Sequence, residues 1–247
     1  MSLALIGLGL FDEKDLSFRA VEEAKRSDKV FIELYTSKWY GNLKDLEKLI
    51  GKEIIELKRK DLEENASKIF AEAKTKKIVV FVQGDPLVQT THSSLLLEAK
   101  KLKVETKVIH NASILSAIGE SGLHVQKFGP YVTMPFPEKT KGKLPESIFE
   151  VIEENKKRGL HTLCLLDVVA EENKYMTVKQ GLEILLSGKT IDKNDKVVAF
   201  ARAGSEKPKI VYDFVGNLTR TNIMDIPSVI IIPGKLHFTE REYLETI

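Results

Sequence analysis

The sequence has few of the features that mark secreted, membrane-spanning or nucleic-acid-binding proteins. Its single cysteine, Cys164, excludes an intramolecular disulfide framework and is typical of a chain in a reducing compartment. No apolar run approaches the ~20 residues that span a bilayer, and the N-terminus carries no basic, cleavable leader. The 38 basic and 36 acidic residues leave a net charge of +2, which gives no electrostatic case for binding nucleic acid or a membrane. We therefore expect a cytoplasmic protein.

The first part of the chain alternates short apolar runs with helical patterns. Strands separated by helices imply a parallel sheet joined by right-handed crossovers. The helix Leu16–Ser27 is predicted to be amphipathic, with Phe18, Val21 and Ala24 on one side. The predicted strands are Leu3–Ile6, Val30–Leu34, Glu53–Leu57, Ile78–Val82 and Glu105–Ile109, and the other predicted helices are residues 61–74 and Ser93–Lys101.

After about residue 110 strands become more frequent, which predicts a mixed sheet. Proline and glycine punctuate residues 128–145, where one strand and an exposed loop are expected. With 247 residues the chain is long enough for two α/β domains, which we place at residues 1–112 and 113–247. Strands are predicted at Tyr131–Met134, Thr162–Asp167, Lys196–Ala201, Lys209–Phe214 and Ser228–Ile232, and helices at Pro145–Arg158 and Thr177–Leu186.

Two of the predicted strands run into loops that suit ligand binding. Ile78–Val82 leads into Gly84–His92, which contains a proline turn and Asp85, and Leu3–Ile6 leads into Gly7–Asp12. The carboxyl ends of parallel strands lie at one edge of a sheet, where open α/β folds bind ligands. The sequence therefore predicts a small-molecule site at this edge.

The charge of these loops narrows the kind of ligand. Gly7-Leu8-Gly9 begins a dinucleotide-binding pattern, and Glu33 lies at the distance of a ribose-binding acid, but Asp12 stands where the third glycine is expected. A carboxylate there disfavours a pyrophosphate, and the sequence contains no Walker A motif. Because Asp12 and Asp85 repel polyanions, a cationic or zwitterionic cofactor such as S-adenosylmethionine suits the edge better, with NAD as the alternative.

Seven short motifs, distributed in order over nearly the whole chain, point to a known family. They are Ile6–Leu10 with Asp12, Tyr35–Ser37, Gly84–His92, Gly159–Leu163, Tyr175–Thr177, Ala201–Ser205 and Pro233–His237. Together they resemble the diphthine synthases, class III S-adenosylmethionine-dependent methyltransferases of the tetrapyrrole methylase superfamily. The first loop, Gly7–Asp12, differs from the Gly-Pro-Gly-Asp usual in tetrapyrrole methylases. A methylase of a tetrapyrrole or another small molecule on the same fold remains the alternative.

The resemblance implies a fold, a reaction and partners. It implies two α/β domains with the cofactor in a cleft between them, and a homodimer. The implied reaction transfers methyl groups from S-adenosyl-L-methionine, leaving S-adenosyl-L-homocysteine, to translation elongation factor 2. The acceptor is the amino group of its 3-amino-3-carboxypropyl-histidine, and the trimethylammonium product is diphthine, in diphthamide biosynthesis. The basic segment Lys139–Lys143 is a hypothetical contact for this protein substrate.

By the same resemblance, eight residues are expected to contact the cofactor. Asp85 could instead cap a helix, Ser113 could be an N-cap, and Ser228 occupies a position that often carries histidine in relatives, so its contact is by side chain or by backbone. No metal site is expected and no catalytic base is assigned, because His92, His110, His124 and His161 are candidates by residue type alone. The expected cofactor contacts are Leu10, Asp85, Val88, Ser113, Ile114, Leu166, Ala203 and Ser228.

Overall fold

Two units, Met1–Leu115 and Ser116–Ile247, make up the computed structural model. It describes residues 1–142, 144–221 and 223–247, so Lys143, the last residue of the basic segment, lies outside the described residues. Each unit contains one five-stranded sheet. Within the described ranges, no helix has the length and apolar character that a membrane crossing requires.

The first unit is built on a sheet with the order β3-β2-β4-β1-β5. Every neighbouring pair of its strands is parallel, which confirms the predicted parallel sheet. The buried central strands are almost entirely apolar, as expected when helices cover both faces of a sheet. The strands are β1 (Ser2–Gly7), β2 (Lys29–Glu33), β3 (Ile54–Leu57), β4 (Lys77–Val82) and β5 (Glu105–Ile109).

The helices of this unit differ from the prediction in two places. The single helix predicted over residues 61–74 is two helices, broken after Glu63. A helix over Leu43–Ile50 was not predicted, although Asn42 caps its start and Gly51, at φ 69°, ends it. The helices are α1 (Phe18–Lys25), α2 (Leu43–Ile50), α3 (Arg59–Glu63), α4 (Ser67–Ala73), α5 (Ser93–Lys101) and α6 (Ile114–Ala117), which crosses into the second unit.

The buried face of α1 is made of small residues. Ser17 caps the helix by accepting a hydrogen bond from the Ala20 amide at 3.2 Å. Ala20 and Ala24, one turn apart, are fully buried, whereas Phe18 is 92% exposed. The prediction that Phe18 shares a buried side with Ala24 was therefore wrong, because residues four apart, rather than six apart, lie on the same face of a helix.

The second unit is built on a sheet with the order β11-β10-β12-β7-β6. Only β6 and β7 are parallel among its pairs, so the predicted mixed sheet is confirmed. The strands of this sheet are β6 (Val132–Met134), β7 (Thr162–Leu166), β10 (Lys196–Ala201), β11 (Lys209–Phe214) and β12 (Ser228–Ile232), and a separate hairpin contains β8 (Val168–Val169) and β9 (Lys174–Tyr175).

Helices cover the apolar side chains of this second sheet. Ile152 of one helix and Leu182 of another are fully buried in a cluster with Cys164 and Ile230 of the sheet. The helices are α7 (Glu146–Arg158), α8 (Val178–Ser187), α9 (Val215–Leu218) and α10 (Phe238–Leu244). Short 3-10 turns in the two units occur at Glu13–Asp15, Ile118–Ser121, Val125–Lys127, Pro137–Thr140 and Ala170–Glu172.

Candidate functional site

Three loops meet at the carboxyl edge of the first sheet, after β1, β4 and β5. β1 lies between the other two strands, and its loop is bonded to both neighbours. Gly9 and Gly84 exchange backbone hydrogen bonds at 3.2 and 2.9 Å. The side-chain amide of Asn111 donates to the carbonyl oxygens of Gly7 at 3.0 Å and Asp15 at 2.9 Å. The predicted ligand-binding edge is therefore a set of loops fixed to one another.

The glycines of these loops are explained by close packing or by a positive φ. Gly9 and Gly84 have φ values of 86° and 64°, in the left-handed region that favours glycine. A Cβ atom on Gly7 would lie 2.4 Å from the Gly84 carbonyl oxygen, and one on Gly9 would lie 2.4 Å from the Asp15 Cβ atom. Gly7 is a glycine because the loops after β1 and β4 touch there, Gly9 because of its positive φ and the packing of Asp15 against it, and Gly84 because of its positive φ.

The backbone amides of the first loop are already engaged by a carboxylate. Asp15 Oδ2 accepts hydrogen bonds from the amides of Leu10 at 2.9 Å and Phe11 at 2.7 Å. Asp12 accepts from the Lys14 amide at 2.9 Å and so begins the following 3-10 turn. A pyrophosphate needs such amides and no facing acid. This loop therefore disfavours the dinucleotide alternative.

Asp85 joins the loop after β4 to the loop after β5. Its side chain is buried. Oδ1 accepts from the Leu87 backbone amide at 3.0 Å, and Oδ2 accepts from the Asn111 backbone amide at 3.2 Å. His110 Nδ1 lies 2.8 Å from Oδ2. Asp85 does not cap α5, which begins eight residues later, at Ser93, with His92 as its N-cap. These contacts leave one lone-pair site of Oδ1 for a further donor.

The other predicted residues of the first unit lie on the same three loops. Leu10 and Val88 are half-buried in the loops after β1 and β4. Ser113 is buried against Gly84, since a Cβ atom placed there would lie 3.6 Å from that of Ser113. Ser113 also immediately precedes Ile114, the first residue of α6, so the N-cap alternative stays open. The structure thus brings together all five cofactor residues expected in this unit.

The three predicted residues of the second unit lie at one edge of its sheet. Leu166 ends β7, Ser228 begins β12, and Ala203 follows the end of β10 by two residues. Ser228 pairs with Ala201 across the two strands. The Ser228 hydroxyl is buried and has no hydrogen-bond partner among residues 1–142, 144–221 and 223–247. A buried hydroxyl without a partner is uncommon in folded proteins, so this oxygen fits a ligand contact.

Glu33, at the end of β2, is a buried acid. Its carboxylate accepts hydrogen bonds from the Thr36 hydroxyl at 2.8 and 2.9 Å, and burial raises the pKa of Glu33 to about 7. Gln83 accepts from the Ser37 amide at 2.6 Å, so the Tyr35–Ser37 motif is held at the same sheet edge. Because Glu33 is fully buried and bonded to Thr36, its placement also disfavours the dinucleotide alternative, in which it would bind a ribose.

A buried carboxylate in the second unit explains two of the sequence motifs. Glu240 of α10 is fully buried and accepts from the amides of His124 at 2.8 Å and His237 at 2.6 Å, and from the Lys127 ammonium. Burial alone would raise the pKa of Glu240, but these hydrogen bonds hold it at about 2. The sequence signal for Glu240 is the spacing of three residues from the helix-capping His237.

The same carboxylate fixes His161 of the Gly159–Leu163 motif. His161 Nε2 lies 2.9 Å from Glu240, and the Gly234 amide donates to Nδ1 at 2.9 Å. Because Nδ1 accepts, the ring proton lies on Nε2 and the ring is neutral, and burial lowers the pKa of His161. His161 and the Pro233–His237 motif are therefore structural elements that hold the start of α10.

The remaining histidine candidates divide by burial. His92 is buried beneath the loop after β4, with Nδ1 3.2 Å from the Pro86 carbonyl oxygen, and burial lowers its pKa. The His110 side chain is 66% exposed at the carboxyl edge of the first sheet.

In the basic segment Lys139–Lys143, the Lys139 ammonium donates to Asp167 Oδ1 at 2.8 Å. The contact of this basic segment with a protein substrate stays a prediction.

Comparison with known proteins identifies the family. Residues 2–219 match the sequence profile of the Tetrapyrrole (Corrin/Porphyrin) Methylases. The diphthine synthase of Methanocaldococcus jannaschii is 43% identical, over 98% of this chain and 97% of its own length. That of Methanococcus aeolicus is 42% identical, over 98% and 96%. The chain belongs to the diphthine synthase family.

Structural similarity supports the same assignment. A crystal structure of a diphthine synthase superposes with a TM-score of 0.89 at 35% identity, covering 100% of this chain and 95% of that one. The comparisons confirm the resemblance found in the seven motifs and the α/β fold of the tetrapyrrole methylases. As a member of this family, the chain is a methyltransferase.

Proposed function

We propose that the chain is a diphthine synthase that methylates translation elongation factor 2. In this proposal the amino group of the 3-amino-3-carboxypropyl-histidine accepts methyl groups until the trimethylammonium product, diphthine, is formed in diphthamide biosynthesis. The observation that carries the proposal is full-length similarity to curated diphthine synthases, at 38–43% identity over 98% of the chain. The protein substrate, a homodimer and a cytoplasmic location are supported by the family resemblance.

The residues at the carboxyl edge of the first sheet fit S-adenosylmethionine as methyl donor. Bound there, it would supply an electrophilic methyl group on a positively charged sulfur. Asp85 has one lone-pair site left for a donor, and its negative charge suits a cationic ligand. The buried hydroxyl of Ser228 is a second polar group that lacks a partner among the described residues. Leu10, Val88, Ile114, Leu166 and Ala203 would contribute apolar or backbone contacts.

The fixed loops of the first unit support a role in positioning. The paired glycines and the Asn111 side-chain amide hold the loops after β1, β4 and β5 to one another through hydrogen bonds within the protein. Holding reactants in line accounts for up to ~7–11 kcal/mol of a reaction barrier when the groups are preorganised. Methyl transfer is an in-line displacement, so a rigid binding edge is the main contribution that we assign to these loops.

Radiolabelled methyl transfer tests the proposed reaction. Elongation factor 2 that carries the unmethylated modification should acquire label from S-adenosylmethionine, and the same factor without the modification should not. A tetrapyrrole that acquires label while the modified factor does not would favour the alternative function. An NAD-dependent enzyme or a non-catalytic sensor would transfer no label to either.

Calorimetry tests the part that Ser228 takes in cofactor binding. Ser228→Ala removes one hydrogen bond, which is worth about 0.5–1.5 kcal/mol, so the cofactor Kd should rise by about 2- to 12-fold. Ser187→Ala is the matched control, because that hydroxyl already bonds to the Ile184 carbonyl oxygen at 2.7 Å. Equal Kd values for wild type and Ser228→Ala would assign the contact to the backbone.

A further inference from the structure

The carboxyl edge of the first sheet contains a carboxylate–imidazole pair. Asp85 follows β4, His110 follows β5, and the two side chains meet across the end of β1 with Oδ2 and Nδ1 2.8 Å apart. The side chain of Asp85 is 7% exposed and that of His110 is 66% exposed. A buried acid therefore holds a ring that solvent and ligands can reach.

The chemistry of the pair fixes the tautomer of His110. An ionised carboxylate only accepts hydrogen bonds, so His110 Nδ1 carries the proton that lies between the two groups. In the neutral ring the lone pair is then on Nε2, which has no hydrogen-bond partner in the described parts of the chain. The amides of Leu87 and Asn111 keep the Asp85 carboxylate in place. This arrangement presents an oriented proton acceptor at the sheet edge.

Buried acids and histidines elsewhere in the described chain lack this combination. Glu33 is fully buried and occupied by Thr36, and His92 is buried against Pro86. His161 is fully buried and donates to Glu240. His110, by contrast, combines a carboxylate partner, an exposed ring and a place on the predicted cofactor-binding loops.

The proposed reaction needs a proton acceptor at each methyl transfer. An α-amino group has a pKa of ~8, and the neighbouring carboxylate of this acceptor raises that value. At pH 7, at most about a tenth of the amine is therefore neutral and able to attack. The methylated products of the first two transfers are also ammonium ions, which must lose a proton before the next transfer.

We propose that His110 Nε2 accepts this proton and that Asp85 is the positioning residue that orients the ring. The inference rests on the proposed function. In each transfer an N–H bond breaks and its proton goes to Nε2. The freed nitrogen lone pair then forms the bond to the methyl carbon, while the carbon–sulfur bond breaks and its electron pair goes to sulfur. The imidazolium passes its proton to water before the next transfer.

The charged groups on the loops beside His110 are mostly acids. Asp85 faces the ring from the loop after β4. On the neighbouring loop after β1, the Asp15 carbonyl accepts from Asn111, and its carboxylate accepts from the amides of Leu10 and Phe11. The loop after β1 also carries Asp12, Glu13 and Lys14: Lys14 faces Asp12, and Glu13 accepts from the Asn42 backbone amide, so among the described residues Asp85 is the charged side chain in contact with the ring.

His110→Asn tests the proposal while preserving the contact with Asp85. The Asn side-chain amide can donate to Oδ2 in place of Nδ1, but it cannot take up a proton. We would measure kcat/KM for the first transfer to modified elongation factor 2 from pH 6.5 to 9. Cofactor Kd would be measured by calorimetry. His237→Asn is the matched control, because His237 is exposed and asparagine is also a good helix cap.

The expected result is a pH-dependent loss. At pH 7, kcat/KM of His110→Asn should fall about tenfold or more, because only the amine that is already neutral in solution can react. At pH 9 the ratio of wild-type kcat/KM to His110→Asn kcat/KM should be smaller by about tenfold or more. The cofactor Kd of His110→Asn should stay within about twofold of the wild-type value. His237→Asn should follow the wild-type profile.

Four outcomes would overturn the assignment. If wild type transfers methyl groups and His110→Asn matches it at pH 7, or has the same deficit at pH 7 and pH 9, His110 is not the proton acceptor. If wild type methylates nothing on the modified factor, the proposed function fails and the assignment falls with it. Ring ¹⁵N shifts of His110 in the free protein give a readout without turnover: a proton on Nδ1 is expected, and a proton on Nε2 would contradict the pair.

Discussion

Replacing Glu240 with glutamine should destabilise the second unit by an amount that depends on pH. Glu240 is fully buried and accepts hydrogen bonds from the amides of His124 and His237, from His161 and from the Lys127 ammonium. Glutamine keeps the shape of the side chain, but one carboxylate oxygen becomes an NH2 group. The N–H groups of that NH2 would then face the N–H groups that the carboxylate oxygen had bound. The change therefore leaves the buried backbone amides competing for one oxygen, and the half-buried Lys127 ammonium loses its ion pair and keeps the Lys235 carbonyl oxygen as acceptor.

The magnitude follows from the pKa of the carboxyl group. A pKa held at about 2 instead of 4.5 corresponds to about 3 kcal/mol of stability. Because the pKa is lowered in the folded state, this stability is fully present above pH 4.5 and is lost as the pH falls towards 2.

Urea unfolding followed by circular dichroism measures the effect. We expect Glu240→Gln to lower the unfolding free energy by about 3 kcal/mol at pH 7 and by about half as much at pH 3. Glu242→Gln, an exposed acid on the same helix, should change it by less than about 0.5 kcal/mol. A deficit for Glu240→Gln that is equal at pH 7 and pH 3 would refute the reasoning.

Three further predictions concern buried or strained residues. Burial raises the pKa of Glu33 to about 7, so ionising it costs stability as the pH rises from 4.5 to 7. The unfolding free energy of Glu33→Gln minus that of wild type, from urea titrations, should therefore be about 1–3 kcal/mol larger at pH 8 than at pH 5. Gly9→Ala should cost the first unit about 1–3 kcal/mol, read by fluorescence of the single tryptophan Trp39, and more than Gly51→Ala, which has a similar φ but open space around it. Burial raises the pKa of Cys164 to about 12, so thiol reagents at pH 8 should label it only as fast as the second unit opens.

The parallel and mixed sheets could be predicted because their strands leave a strong sequence signal. Strands covered on both faces read as continuous apolar runs, and Ile78–Val82 is such a run. The helix Leu43–Ile50 has only local signals at Asn42 and Gly51, and it was missed. Phe18 was misplaced because the alanines that face the sheet do not stand out in a hydropathy pattern.

The place of the candidate site could be predicted, but its internal contacts could not. The ends of β1 and β4 fix the edge where Leu10 and Asp85 lie, and that follows from strand order alone. The pairing of Asp85 with His110 joins residues 25 apart, and that of His161 with Glu240 joins residues 79 apart. Such pairs depend on how loops and helices pack, which no local pattern encodes.

Intact-mass spectrometry of elongation factor 2 tests the central claim most directly. The factor carrying 3-amino-3-carboxypropyl-histidine would be incubated with this protein and S-adenosylmethionine, and the modified residue would then be located by fragmentation. We expect a product heavier by the mass of the added methyl groups, all on the amino nitrogen of that residue. An unchanged mass, or methyl groups at another site on the factor, would contradict the assignment of this chain as a diphthine synthase.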